Sequence, residues 1–409
     1  MTVFAPFPLD ERLGLLRAAA ADTGAELRSH ALALDADPHD MRPHLGVAGY
    51  DLIRRCTTPP RYGAGPLRLG RYAYAAGSCL DQVVLVAELA RGDAGMVLAC
   101  PAPSLSGVLV DQMGDAAQRE HFHRSLADGA TWPFFAVTEP ARGSDASAME
   151  TRLTPTAPDG TGPGDYRLTG VKRYIGNGAR GALGVVFART GRGPLSIRAV
   201  LLDAASPGFD ASPLDMAGLR GTCLGEMRFD AVPVPRERLL GRHLSPARQG
   251  MWAAIRVFNQ MRAQVGALAV GTATALLELV REERPDAPGA GIHAARIEAC
   301  RSLVYAAGAA VDADRDASHP SSLAKYAATT LARDTARWAV RSLGQEALID
   351  LPLLEKWTRD VGAFEFMEGT ADIQRQHIAK AYLKGRYALR RTPPEARTPG
   401  PGPLAEADR

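Results

Sequence analysis

The chain has 409 residues, 46% of them hydrophobic and 23% charged, with a formal net charge of +3. That length allows two or three domains with ample core. The near-balanced charge, with no basic run interleaved with aromatics, excludes a nucleic-acid binder. The five cysteines (Cys56, Cys79, Cys100, Cys223 and Cys300) are scattered, with no C-x-x-C pair and no His/Cys cluster at metal spacing. They read as small core residues of a protein in a reducing, cytoplasmic compartment. The N-terminus MTVFAPFPLDERLGLL carries Asp10 and Glu11 and no apolar h-region, so no secretory signal is expected. No apolar run is read as approaching transmembrane length, so no membrane association is expected.

In chain order, residues 1–131 read as an N-terminal helical domain. Leu13, Leu15 and Leu16 with the following alanines suit a first helix, and Leu80–Leu89 suits a second. Asp115–Ala127 suits a third, ended by Gly129. Thr57–Pro66 is a Pro/Gly loop. His121 and His123, two apart, do not share a helix face, so they read as surface or partner-satisfied histidines. From Trp132 the pattern changes to short β-rich runs (FFAVT, YRLTGV, GVVFAR, RAVLLD, EMRFDAV) separated by turn signals such as DGTGPGD at 159–165. These predict a middle antiparallel β domain over 132–241. Long apolar periodicity returns at Met251–Arg281, in HAARIEACRSLVYAAGAAVDAD and in SSLAKYAATTLARDTARWAVRSLG, predicting a helical bundle over 242–391. The Pro/Gly-rich tail 392–409 is expected to be disordered.

One late stretch organises the rest. Arg359–Gly385 reads RDVGAFEFMEGTADIQRQHIAKAYLKG. Gly369 permits a tight backbone, Thr370 is a plausible N-cap, and Ile373, His377, Ile378 and Tyr382 follow at helical spacing. Glu368 then falls on a turn just outside a helix N-terminus, where a carboxylate can point into a cleft as a base. Taken locally, an acidic residue there equally serves the helix dipole.

A second stretch gives Glu368 its context. Phe134–Asp145 reads FFAVTEPARGSD, and Leu168–Thr190 reads LTGVKRYIGNGARGALGVVFART. With the EGT turn these resemble the acyl-CoA dehydrogenase family. Its pattern is an aromatic-rich strand ending in TEP-xx-GSD, a G-x-K-x-[WYF]-I-x-N core and a late EGT-xx-IQR. The three motifs occur here in the family's order and at about its spacing, over roughly residues 9–385. The resemblance implies a mainly α fold with a β domain: N-terminal helical domain, middle β domain and C-terminal bundle. It implies FAD-dependent α,β-dehydrogenation of an acyl thioester on CoA or a carrier protein. Electrons would leave to an electron-transfer flavoprotein or to oxygen, from a homodimer or homotetramer.

The resemblance also distributes roles. Glu368 would abstract the α-proton on the face opposite the flavin, and its backbone N–H would help polarise the thioester carbonyl. Some branches carry the base on the bundle helix, but the matching segment here, IRVFNQMR at 255–262, holds no acid. Glu365 lacks the Gly-Thr turn and reads as a packing or surface-pair residue. Thr138 and Ser144 match isoalloxazine and phosphate contacts, Phe135 and Tyr174 match positions flanking the flavin, and Thr370 and Asp372 match flavin contacts after the turn. Ordinary turn chemistry is the alternative for Thr138 and Ser144. Arg262 and Ser144 fall on the thioester side, with a structural ion pair as the alternative for Arg262.

The sequence departs from the family in three places. Gly176 stands where a hydroxyl is usual near the flavin. The R-x-x-F-G segment is absent from REERPDAPGAGIHAARIEA (281–299). RSLGQEAL places Arg341 and Gln345 where Gln and Gly are usual. These departures suggest a specialised, biosynthetic branch. The rival readings are a flavin monooxygenase on the same fold, and a scaffold that has lost its flavin.

Overall fold

The computed structural model describes residues 6–156, 165–245, 248–316 and 318–386. Most of the expected turn at 159–165 and the expected disordered tail at 392–409 lie outside the described residues.

Helix α1 (Glu11–Ala36) starts because the Asp10 carboxylate accepts from the Leu13 N–H at 2.8 Å. Its buried Leu13, Leu16, Ala20, Leu27, Ala31 and Leu34 recur at helical spacing and face α3 (Cys79–Ala99). The two backbones nearly touch: a Cβ on Gly92 would lie 2.2 Å from the Gly24 carbonyl oxygen. Helix α3 breaks regular geometry at Asp93 (φ −163°, ψ 126°), whose carboxylate accepts from Lys356 Nζ (2.6 Å), Trp357 Nε1 (3.0 Å) and the Met96 N–H (2.8 Å). Between these helices lie α2 (Ala48–Thr57) and a hairpin of β1 (Leu67–Leu69) with β2 (Tyr72–Tyr74) that the sequence reading did not anticipate. Two short helices follow: α4 (Ser104–Met113), also unanticipated, and α5 (Ala116–Ser125), started by a reciprocal Asp115–Gln118 capping box. His121 and His123 are both partnered, to Asp203 (3.0 Å) and Asp111 (2.8 Å), as the sequence suggested.

The middle sheet contains β3 (Pro133–Ala136), β4 (Arg152–Pro155), β5 (Tyr166–Ile175), β6 (Leu183–Arg189), β7 (Ile197–Asp203), β8 (Phe209–Pro213) and β9 (Gly225–Val234). β7 pairs one edge of β6, and β3 and β4 follow one another along its other edge. The sheet then runs β4–β5–β9–β8. The β4–β5, β5–β9, β6–β7 and β8–β9 ladders are antiparallel, as expected, whereas β3 and β4 run parallel to β6.

The last third is a bundle of α6 (Met251–Glu283), α7 (Ala290–Ala313), α8 (Ser318–Leu343), α10 (Pro352–Ala363) and α11 (Ala371–Leu383), with the single turn α9 (Ala347–Asp350) between. The bundle and the N-terminal helices share one apolar core. A second apolar layer joins α4, α5 and one sheet face to the first half of α6 through Val257 and Met261. Helix α6 corrects one expectation: by length and composition it could cross a membrane. It reads that way because it is the central helix, with 78% of that apolar window buried within the protein.

Candidate active site

Between α10 and α11 the chain turns through two successive left-handed residues, Glu368 (φ 49°) and Gly369 (φ 96°). Such a conformation costs a side-chain-bearing residue about 1–2 kcal/mol, so something must hold it. Three buried donors do. Arg262 of α6 donates its Nε–H to the Glu368 carbonyl at 3.1 Å. Lys325 of α8 donates to the Gly369 carbonyl at 2.5 Å and the Glu365 carbonyl at 3.2 Å. Gln374 of α11 donates to the Gly369 carbonyl at 2.8 Å and the Glu368 carbonyl at 3.3 Å. With the carbonyls tied inward, the Glu368 N–H donates to no described residue.

The carboxylate above this clamp has an unusual environment. Glu368 is half-buried as a residue, yet its Oε2 is sealed from solvent and has no hydrogen-bond partner among the described residues. Burial pushes its pKa above the ordinary glutamate value, and the Lys325 and Arg262 charges only partly offset this. Burial in turn lowers Lys325 to about 8 and Arg262 to about 10, each opposed by the charge of Glu368. His377, on the same side of α11, is pushed down to about 4 by burial, with Arg262 and Lys380 repelling its proton, and its Nδ1 lies 3.1 Å from Ser322 Oγ. It is therefore neutral at physiological pH.

Two expectations about the turn change. Thr370 occupies the N-cap position but its hydroxyl caps nothing; the Glu365 carboxylate accepts from the Ala371 N–H instead, at 2.8 Å. Reversal at Glu368 and Gly369 folds the chain back so that Glu365, rather than Thr370, meets the open end of α11. Glu365 is thus a helix cap, with only a long contact to Arg333 (3.9 Å) as a surface pair.

The first two motifs meet across the ends of β3 and β5. The Arg173 N–H donates to the Thr138 carbonyl at 2.9 Å. Beneath, the buried Lys172 donates to the Val137 carbonyl (2.8 Å) and to Glu139 Oε1 (3.0 Å). Glu139 also accepts from the Glu150 N–H, the Thr151 N–H and the Thr151 hydroxyl. This explains why TEP and GVK go together: the glutamate of one motif is neutralised by the lysine of the other. Above this pair Tyr174 is 53% exposed on a left-handed backbone (φ 61°), with the Arg173 guanidinium 5.4 Å from its ring centre, and nothing lies within 4 Å of where a Gly176 Cβ would be. The hydroxyls of half-buried Thr138 and exposed Ser144 bond no described residue. An exposed aromatic face, open backbone and free hydroxyls fit the ring and phosphates of the flavin that the resemblance implies.

Phe135 connects this region to Glu368. Its ring packs edge-on against Phe258 of α6 at 6.0 Å, and the Arg262 guanidinium lies 5.9 Å from the Phe258 ring centre. One path thus runs Phe135–Phe258–Arg262–Glu368, with α6 as the bridge. Arg262 is 5% exposed, with its Nη1 bonded to Asn259 Oδ1 (3.0 Å). Its contacts are internal ones that support the turn. Asp372 is directed outward, paired with Arg375 at 3.0 Å, and neither it nor Thr370 makes a contact that joins it to the Thr138–Tyr174 group. The sequence reading missed Lys325, Gln374, Glu139 and Lys172. The last three stand inside the motifs it singled out, and Lys325 had no local signal.

The chain matches the family descriptions "Acyl-CoA dehydrogenase, middle domain" over residues 134–232 and "Acyl-CoA dehydrogenase, C-terminal domain" over 291–383. It is 30% identical over 326 residues to the short-chain-specific acyl-CoA dehydrogenase of Megasphaera elsdenii, covering 75% of this chain and 83% of that one. It is 28% identical over 328 residues to the CarC subunit of the caffeyl-CoA reductase–Etf complex of Acetobacterium woodii, again covering 75% and 83%. The structure of butyryl-CoA dehydrogenase from Megasphaera elsdenii superposes with a TM-score of 0.79 at 27% identity, over 93% of this chain and 100% of that one. The arrangement of helices around a middle sheet, the paired motifs and these likenesses agree: this chain belongs to the acyl-CoA dehydrogenase family, flavin oxidoreductases that act on CH–CH donors with FAD.

Proposed function

We propose that this protein dehydrogenates an acyl-CoA thioester between the α- and β-carbons, with Glu368 as the base that removes the α-proton. The observation that carries this reading is the Glu368 carboxylate itself: Oε2 is buried, unpartnered and held on a left-handed turn by three donors to its backbone. A carboxylate short of hydrogen bonds has a raised proton affinity, which suits it to an α-proton acidified by the thioester. The free Glu368 N–H is the donor for the thioester carbonyl, where charge develops as the proton leaves. Phe135, Thr138, Ser144, Tyr174 and Gly176 would hold the flavin, with Thr370 and Asp372 contributing at the start of α11. When bound, FAD supplies the acceptor for the β-hydride. A CoA thioester and an electron-transfer flavoprotein are the proposed substrate carrier and electron acceptor, by likeness to relatives whose names include CoA and Etf.

The test is the visible flavin absorbance of the FAD-loaded protein, followed anaerobically during addition of CoA and carrier-protein acyl thioesters. One or more CoA thioesters should bleach it, and Glu368→Gln should abolish bleaching with FAD still bound. Bleaching by carrier-protein thioesters alone would move the substrate to that carrier. Substrate-dependent oxygen uptake with incorporation of an oxygen atom, and no bleaching without oxygen, would replace this reading with a monooxygenase.

A further inference from the structure

Lys325 is a fully buried lysine (1% exposed) in the first half of α8 with no carboxylate bonded to it among the described residues. A buried ammonium normally bonds directly to an anion. Here its two bonds go to main-chain carbonyls on either side of Glu368, those of Glu365 and Gly369. The Glu368 charge acts on it through space, as do those of Glu365 and, repulsively, Arg262. Among the described residues, those three are the charged groups that act on it, from the α10–α11 turn and from α6. The ammonium therefore does two things at once, only the second of which requires its charge. It ties down the backbone of a strained turn, and it sets a fixed positive charge beside a carboxylate that no donor touches at Oε2.

We propose that Lys325 is the positioning residue of the reaction: it holds the Glu368 turn through two carbonyls and stabilises the ionised, proton-accepting form of Glu368 without occupying its oxygen. This rests on the reading of Glu368 as the base. A lysine bonded directly to the carboxylate would keep it ionised but would also occupy the oxygen that must take the proton. Bonding to the neighbouring carbonyls separates the two tasks. Burial, which brings Lys325 down to about 8, leaves it charged at neutral pH.

The experiment is an infrared pH titration of the protonated-carboxyl band that disappears in Glu368→Gln, run on the FAD-loaded wild type, Lys325→Met, Lys325→Gln and Lys325→Arg, alongside kcat and KM with a thioester that bleaches the flavin. Loss of the cation should raise the midpoint of the Glu368 band by about one pH unit or more in the Met and Gln variants and leave it near wild type in Arg. kcat should fall about tenfold or more at neutral pH with KM little changed, and recover as pH rises in the Gln variant. If Lys325→Met does not fold, the Gln variant carries the test, because it keeps a donor and loses only the charge. A band midpoint unmoved in Gln overturns the proposal, even where Glu368→Gln is inactive and the base reading stands. A shifted midpoint together with a fully active Glu368→Gln upholds the electrostatic coupling but removes its catalytic meaning, and so overturns the proposal together with the base reading.

Discussion

The protein contains two buried lysine–glutamate neighbourhoods built to opposite ends. In the middle domain Lys172 bonds Glu139 directly at 3.0 Å, and Glu139 takes three further donors from Glu150 and Thr151. Burial pushes the Glu139 pKa up, but the Lys172 charge and those hydrogen bonds outweigh it and hold the carboxyl below the ordinary range. At the α10–α11 turn, Lys325 bonds the backbone and leaves Glu368 Oε2 bare, and burial prevails, so the carboxyl is raised. The ingredients are the same, and each lysine is brought to about 8 by burial. What differs is whether the carboxylate is given donors. A satisfied carboxylate joins two motif strands; an unsatisfied one is left with the raised proton affinity that suits the proposed base.

The sharpest way to break this contrast is to remove one charge from each neighbourhood. Glu368→Gln should lower kcat by about 10²- to 10⁴-fold, the usual worth of a positioned base, with thermal stability equal to or above wild type because a buried charge without donors is removed. Lys172→Met should do the reverse. It strands Glu139 as a buried, uncompensated charge and should cost about 3–5 kcal/mol of stability in urea unfolding. A Glu368→Gln protein that unfolds early but turns over normally would erase the distinction.

The pH signatures should also be opposite. Glu139 has a folded pKa below its unfolded value, so the unfolded chain binds more protons as acid is added, and stability falls as pH drops through that window. Glu368 has a folded pKa above its unfolded value, so the folded chain binds the extra proton, and its contribution is lost as pH rises through the folded pKa. Glu139→Gln should flatten acid destabilisation below about pH 4.3, and Glu368→Gln should remove a stability decline that begins above it and runs up to the raised folded pKa of Glu368. The activity limb follows Glu368 alone: kcat should rise with pH through its raised pKa. A limb centred at the ordinary glutamate value would mean the carboxylate is solvated during turnover.

How much of this was legible in the sequence depended on the range of the interaction. Long helices and central strands were readable because their own residues make them: α1, α6 and α8 carry long apolar stretches at helical length, and β5 and β6 are β-rich runs between turn signals. The short β4 and β8, the β1–β2 hairpin and α4 were not, because a few residues such as RLTP or FDASP become strands only by pairing with β5 or β9. At the site, Glu368 and the motif hydroxyls were visible as residue types. Lys325 was not, since its acceptors are main-chain carbonyls 40 and 44 residues away, and a carbonyl has no sequence signature.

The smallest effect tests the same lesson at the start of α11. Sequence favours Thr370 as the cap, since a hydroxyl at that position ordinarily accepts from the first-turn N–H groups. The left-handed pair at Glu368 and Gly369 instead carries Glu365 back over the helix end, where its carboxylate takes the Ala371 N–H at 2.8 Å and adds a negative charge to the positive end of the dipole. Glu365→Ala should therefore lose about 1 kcal/mol of stability, while Thr370→Ala should change it by only a few tenths of a kcal/mol, within the range of an ordinary surface substitution. Because Glu365 also carries one of the two carbonyls that Lys325 holds, its backbone would remain clamped when its side chain is removed. Glu365→Ala should then weaken the helix end without moving the pH limb of kcat. If the limb moves with the cap, the turn is positioned by α11 rather than by the buried cations beneath it.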